Sequence, residues 1–391
     1  LTILTLTKVD VGMMEDVGTS ANQIIQLDSN GKIPAVDGSL VTGVTSGLSG
    51  SSDPTISTNP SGGVGTKFKN TTSGEMYICT DATAGSNVWT NVGEGSGDVV
   101  PWAFGGENYG FMCGNQAGLH INRFSLTADG GGTDWGDLVG TSVYSKSGHS
   151  DKDNGYGYHS GGYPVINEIA RFSFLSSGTS NDVGNLTQAS SAVCSVTNAT
   201  HCYFVGHEYN AGGGGDGTVV SRLAFASSGN ASDWCDLMQQ QFGGGGATNP
   251  DGTYGYMQGG YSGGAISNVI QKVNLTSQAT ATDVADISQA RHSGAGNSSS
   301  THGYVSGGYT PPHRNTIDKF PFATDSNSTD VGDCTITIHQ RGGASSLTYG
   351  YTCGGSGTIN VIEKHSFTTD GNATDVGDLA QGFTYPGGTQ Y

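Results

Sequence analysis

A repeat of about 48 residues constrains this chain more than any other feature. Six segments, TDWGD, NDVGN, SDWCD, TDVAD, TDVGD and TDVGD, place Asp134, Asp182, Asp233, Asp283, Asp330 and Asp375 at spacings of 48, 51, 50, 47 and 45 residues. Upstream of each lies an aliphatic-x-basic strand: Ile121 and Arg123, Ile169 and Arg171, Val220 and Arg222, Ile270 and Lys272, Ile317 and Lys319, Ile362 and Lys364. Further upstream an aromatic precedes small residues, at Phe111, Tyr158, Tyr203, Tyr256, Tyr304 and Tyr351, with HCYFVGH the divergent copy. Each unit reads as short β segments separated by Gly-Gly and by Asp/Asn/Ser/Gly turns, and no convincing helix appears. Roughly four strands per unit at this period is the pattern of a β-propeller blade, so six copies predict six blades. Glycine after an inner strand lets backbones approach closely near the axis.

In detail the unit resembles a kelch repeat. That resemblance implies an all-β, six-bladed kelch-like propeller over residues 98–391, with blades running through an Arg-containing strand, an aromatic-x-x-Gly-Gly strand, a third strand and a Trp-bearing last strand. Trp135 and Trp234 hold the last-strand site, but Val183, Val284, Val331 and Val376 replace it elsewhere, and the initial Arg survives only as Arg291 and Arg341. Trp102–Gly106 and Phe383–Gly388 both look like the strand preceding each aromatic strand. One of them is expected to complete a blade begun at the other terminus and so remove an exposed edge. The other copy is left over, and a seventh partial blade stays open.

Loop lengths select a face. From the end of the third strand (Leu126, Phe174, Phe225, Leu275, Phe322, Phe367) to the repeated Asp, the spacing is always eight. The loop after Gly-Gly varies instead from five to twelve residues. In an antiparallel blade these two connections open on opposite faces, and variable loops on a rigid scaffold are where binding concentrates. The variable loops carry Tyr163, Tyr209, Asp216, Tyr261, Tyr309, His313 and Arg314, groups able to stack on sugar rings and bond to hydroxyls. These seven are the candidate ligand-binding residues. The alternative for the tyrosines, three of which directly follow Gly-Gly, is that they pack the loop bases.

Charge excludes several functions. A formal charge of −18 and no extended Lys/Arg cluster argue against nucleic acid, and no apolar run approaches the roughly 20 residues that cross a bilayer. Six of the 15 cations sit at one repeated strand position, so few remain for a partner, and neutral or cationic glycans are favoured over strongly anionic ones. The strand cations and the repeated Asp pairs are expected to form an ionic ladder, one rung per blade. Seven cysteines without C-x-x-C spacing indicate buried thiols in a reducing compartment of synthesis. The stretch Asp370-Gly371-Asn372-x-x-Asp375-x-x-Asp378 has the oxygen density of a calcium loop but not the order of an EF-hand, and Asx turns are the expected reading. No carboxylate pair, G-x-S-x-G or H-E-x-x-H singles itself out. No catalytic residue, metal or cofactor is therefore expected, nor enzyme activity.

The first hundred residues supply a context. The stretch SANQIIQLDSNGKIPAVDGS, residues 20–39, resembles the Q-I-x-x-L-D-x-x-G-K-x-P-A-x-D-G-S segments of tailed-bacteriophage fibres and related appendages. Residues 59–97 resemble a small β module of such fibres, with a turn at Thr72–Glu75 and Phe68, Tyr77, Cys79 and Trp89 as minimal core. The resemblance implies a virion protein made in the host cytoplasm: an extended stalk at 1–58 that trimerises and meets other virion proteins, a hairpin module at 59–97, and the propeller. A tail fibre or receptor-binding protein attaching non-covalently to host-surface glycan is the expected function. A head fibre or capsid decoration, or a glycan depolymerase, is the alternative. The chain lacks an initiator Met, so residue 1 reads as a processed end or the start of a segment.

Overall fold

A computed structural model describes residues 47–93, 95, 98–99, 101–115, 118–140, 147–207, 217–227, 229–262 and 264–391. Most of the segment read as a stalk, and the candidate residues Tyr209 and Asp216, lie outside them. The described residues are all-β, with 28 strands in seven four-stranded sheets and no helix. They divide into two compact units, one ending at Pro101 and one beginning at Trp102.

In the first unit Lys67–Asn70, Met76–Asp81 and Val88–Asn91 form an antiparallel meander, and Leu48–Gly50 joins it parallel to Lys67–Asn70. The sheet thus begins before residue 59. Alternation puts Phe68, Tyr77, Cys79 and Trp89 on one face, where they form a buried cluster with Phe68 edge-on to Trp89 at 5.8 Å.

The second unit holds six antiparallel sheets, here I to VI in chain order, with strands a (innermost) to d. Sheet IV shows the pattern: a is Gly245–Thr248, b Tyr254–Ser262, c Ala265–Asn274 and d Thr282–Asp286. The other a strands in sheets II to VI are Ser147–Asp151, Cys194–Thr197, Ala295–Ser298 and Gly342–Ser345. Sheet I takes its a strand, Gly387–Gln390, from the far end of the chain and pairs it with Tyr109–Asn115. Each a strand touches that of the next sheet, and the series returns from Gly387–Gln390 to Ser147–Asp151. A closed ring of inner strands leaves their edges covered and is compatible with a β-propeller.

The glycines of this ring are a steric requirement. A Cβ on Gly296 would lie within 3.0 Å of the Gly246 carbonyl oxygen, and the same holds for Gly343 on Gly296, Gly388 on Gly343 and Gly148 on Gly388. Two residues on, polar side chains bridge the sheets. The Thr197 amide donates to Thr248 Oγ1 (3.2 Å), the Thr248 amide to Ser298 Oγ (2.9 Å), the Ser298 amide to Ser345 Oγ (3.1 Å) and the Gln390 amide to Ser150 Oγ (3.0 Å). These bonds satisfy inner-strand donors that water does not reach.

The repeated b-strand aromatics form a second ring. Phe111 stacks on Phe174 of the next sheet at 4.8 Å, Tyr256 on Phe322 at 5.2 Å and Tyr304 on Phe367 at 4.9 Å. Tyr203 donates instead to the Leu275 carbonyl (2.5 Å), and Tyr351 closes the circle by donating to that of Leu126 (3.1 Å). The side chain between the aliphatic and the cation of each c strand is buried, and in every sheet but II, where it is Ala170, it reaches the previous sheet. Asn122 accepts from the Ala380 amide (2.7 Å), Gln271 from Gln239 (3.2 Å), Asp318 from Ser288 (2.9 Å) and Glu363 from Thr335 (2.8 Å).

The strand cations depart from the expected ladder. Arg123 lies over Tyr109 and Trp135, Arg171 over Tyr156 and Arg222 over Trp234, all at 3.8–4.3 Å. Only the lysines pair with acids, Lys272 with Asp325 (2.7 Å), Lys319 with Asp370 (2.5 Å) and Lys364 with Asp129. Those acids come from the c–d connection of the neighbouring sheet. The repeated Asp134, Asp182, Asp330 and Asp375 accept from the amide two residues on, closing local turns. A ring does not exclude an acid, since Lys272 also lies over Tyr254 (4.1 Å) and Lys364 over Tyr349 (4.6 Å). The ladder fails for the three arginines because the next repeats hold Ser177, Ser228 and Gln278 at the position that is Asp325, Asp370 or Asp129 for the lysines. Within the calcium-like stretch, Asp370 thus serves as the Lys319 partner and Asp375 as a turn cap. Arg291 and Arg341 are not equivalent either. Both are buried, paired with Asp318 (2.9 Å) and Glu363 respectively.

Four histidines, His149, His159, His207 and His365, are sealed in this unit. His149 packs edge-on to Phe204 at 4.5 Å and His365 against Tyr304 at 5.1 Å. Burial pushes His149 down to about 3, and His207 and His365 to about 4. Their folded values lie below the unfolded value of about 6.5, so the unfolded chain binds more protons between those limits. Stability is therefore complete above about pH 6.5 and falls as the pH drops toward 4. Thermal melts between about pH 7.5 and 4.5 should show a fall of roughly 10 °C or more, and a flat profile would contradict neutral burial.

Candidate functional site

Strand direction divides the connections between two ends of the ring. The a–b turns and c–d connections lie at one end, and the b–c loops and d–a connections at the other, here the loop face. The leftover sequence copy, Trp102–Gly106, is not a sheet strand. It crosses the inner-strand ends opposite the loop face, where the Gly106 amide donates to Ser345 (2.7 Å) and Lys152 Nζ holds the Ala103 and Gly105 carbonyls, the latter at 2.6 Å. Phe104 lines the central cavity of about 100 Å³. The chain therefore enters this unit at the end away from the variable loops.

At the loop face the ring is drawn shut by backbone. Ala192, Gly243, Ser293, Gln340 and Tyr385 each sit two residues before an a strand, and all are left-handed, with φ of 50–64°. They are hydrogen-bonded in series: Gly243 N donates to Ala192 O (2.9 Å), Ser293 to Gly243 (2.6 Å), Gln340 to Ser293 (2.9 Å) and Tyr385 to Gln340 (3.0 Å). Holding a side-chain-bearing residue left-handed costs about 1–2 kcal/mol, and the series of hydrogen bonds offsets it. Across the mouth, Tyr385 Oη meets Ser293 Oγ at 2.5 Å, and His292 Nδ1 meets the same Oγ at 2.8 Å.

Around this mouth runs an arc of rings. Phe242 lies 5.5 Å from Tyr261, Tyr261 6.0 Å from His292, and His292 5.5 Å from Tyr309. Tyr309 continues it to His313 at 5.1 Å and His339 at 5.3 Å, and those two imidazoles are 4.5 Å apart. Every member is half-buried, so one side packs and the other meets solvent. Backbone bridges fix the register, Phe242 against Tyr261 and His292 against Tyr309. Burial lowers the pKa of His292. It also lowers His339, to about 4, with His313 and His292 adding to the effect.

Of the seven candidates, the arc brings Tyr261, Tyr309 and His313 together. Arg314 follows His313 in the c strand, opposite Gly308. Tyr163 is 45% exposed in sheet II, three sheets away from sheet V, and takes no place in the arc. The alternative that the tyrosines pack the loop bases holds in part, since Tyr261 Oη donates to the Gly264 carbonyl (2.9 Å) while its ring stays half-open. Phe242, His292, His339 and Tyr385 were not anticipated. The first three occupy the same offset before an a strand in successive repeats, a signal available in the sequence.

Chemically this is a stacking and hydrogen-bonding surface. Asp318 and Glu363, beneath it, are wholly buried and engaged by Arg291 and Arg341. Among the described residues no group of three or more His, Cys, Asp or Glu side chains is disposed to hold a metal ion. Burial raises the Cys194, Cys202, Cys334 and Cys353 thiols, which keeps them protonated. Set beside known proteins, the chain matches no family model and no curated sequence.

Proposed function

We propose that the chain is a virion appendage protein of the tail-fibre kind, in which a six-bladed, kelch-like propeller attaches non-covalently to glycan on a host surface. The observation that carries the binding assignment is the arc from Phe242 to His339, half-exposed rings held by backbone register beside a closed mouth. Flat rings stack on the apolar faces of sugars, and imidazole and phenol edges take up hydroxyls. The virion context comes from the fibre-like stretches at 20–39 and 59–97. In this reading the N-terminal segment trimerises and anchors the protein to the particle, while the loop face, opposite the point of chain entry, is presented outward.

A glycan array read with wild type and with the double variant Tyr261→Ala/Tyr309→Ala tests the assignment. Retention should fall roughly tenfold or more, the equivalent of about 1.4 kcal/mol, with the melting temperature within about 2 °C. A large loss of stability would make these rings core and remove the site. Shortening of a retained polysaccharide by the wild type would replace pure binding with depolymerisation.

A further inference from the structure

The charge around the arc runs against the charge of the whole chain. Five of the six arginines are engaged: Arg123, Arg171 and Arg222 over aromatic rings, Arg291 and Arg341 in buried ion pairs. Among the described residues Arg314 has neither a carboxylate nor a ring partner, and its Nε is buried without an acceptor. In a chain with 33 acids to 15 bases, an unneutralised arginine is not a default outcome. It stands in the c strand directly after His313 and opposite Gly308, the glycine packed on the His292 backbone. The His313 and His339 Nδ1 atoms are likewise buried and unpartnered.

Other titratable groups at the arc do not neutralise it. Tyr261, Tyr309 and Tyr385 are phenols, and Asp318 and Glu363 are consumed by Arg291 and Arg341. The charges acting on His339 are those of His313 and His292, with no carboxylate among them. Three imidazoles thus border two stacking tyrosines, with Arg314 one residue along the c strand from His313, and a basic set of this kind calls for acceptor oxygens carrying negative charge.

We infer that the arc binds an acidic glycan, one bearing carboxylate or phosphate groups, with Arg314 and the imidazoles of His292, His313 and His339 meeting the anion and Tyr261 and Tyr309 stacking on the sugar. This rests on the glycan-binding reading above and reverses the preference for neutral or cationic glycans drawn from overall charge. Binding an anion favours protonated imidazole, so affinity rises as the pH falls through the histidine range.

The test uses the full chain and three immobilised probes: polygalacturonate for carboxylate, poly(glycerol phosphate) for phosphate and dextran as neutral control. One or both acidic probes should be retained over dextran, several-fold more tightly at about pH 5.5 than at about pH 8 and more weakly at high salt. Arg314→Gln should lose roughly tenfold, and Arg314→Lys should recover part of it. His313→Gln, at an adjacent position, should weaken retention of the acidic probe and serves if the Arg314 variants fold poorly. Which acidic probe is retained identifies the anion. Preferential retention of dextran, or acidic retention indifferent to Arg314, His313 and salt, would overturn the inference while leaving glycan binding in place. No retention of any probe, with an empty glycan array, would overturn both.

Discussion

Deleting Tyr385–Tyr391 is expected to lower the melting temperature by ten degrees or more and to make the protein associate, because the ring of inner strands then opens at sheet I. The lost strand covers Phe111, Met112 and Cys113, all at 0% exposure. Each such side chain contributes about 1.5–3 kcal/mol on burial, and at this size each kcal/mol corresponds to at most about 2 °C. The deletion also removes the Gln390 bonds to Ser150, Ser345 and Phe104 and the Tyr385 contact across the mouth. The uncovered edge, Tyr109–Asn115, then invites pairing with another chain. Thermal melts and size-exclusion chromatography check both parts. An unchanged melt and a monomeric profile would mean that the C-terminal strand does not close the ring.

Glu363→Ala should cost about 3–5 kcal/mol, because it strands the Arg341 guanidinium, 0% exposed, without its counter-charge. The Thr335 amide loses its acceptor in the same step. The double variant Arg341→Met/Glu363→Leu should recover most of the loss, since exchanging a buried pair for apolar side chains of similar size is often neutral. Urea denaturation of the single and double variants gives both values. Equal destabilisation of the two would show that the cost lies in packing and the Thr335 bond, not in an abandoned charge.

These two variants touch features of unequal visibility. Strand order and closure were legible because the b-strand aromatic, the c-strand cation and the d-strand Asp recur in a fixed order, with a constant c–d spacing, and two glycine-rich copies flank them. The fate of the surplus copy was not legible. Trp102–Gly106 has an a-strand composition, but it follows a different path because Gly387–Gln390 already pairs with Tyr109–Asn115. Partners of the c-strand cations escaped the spacing as well. A basic residue at a fixed position can face a ring, an acid or both, and it meets an acid only where the neighbouring repeat holds Asp129, Asp325 or Asp370.

For the site, loop-length variation placed Tyr261, Tyr309 and His313 at one end of the ring, where the structure has them side by side. It missed His292 and His339 because they belong to the sheet-to-sheet connection, where their shared offset before the a strand does not tell which b-strand residue they meet. Only the close return of the chain beside the b strand, seen in the His292–Tyr309 bridge, makes them neighbours. The buried Asp318 and Glu363 were hidden for a similar reason. Their position holds Asn, Ala, Ser, Gln, Asp or Glu from copy to copy, so no residue type repeats although most of these side chains do one job, holding the previous sheet's connection.

Hydrogen–deuterium exchange with and without the glycan best retained on the array tests the central assignment most directly. Protection is expected in the peptides covering 259–264, 290–293, 307–314 and 337–341, which carry the arc, and not in the c–d connections at the opposite end. Protection confined to those connections, for example 126–133 and 322–329, would place the ligand on the other face and contradict the loop-face site.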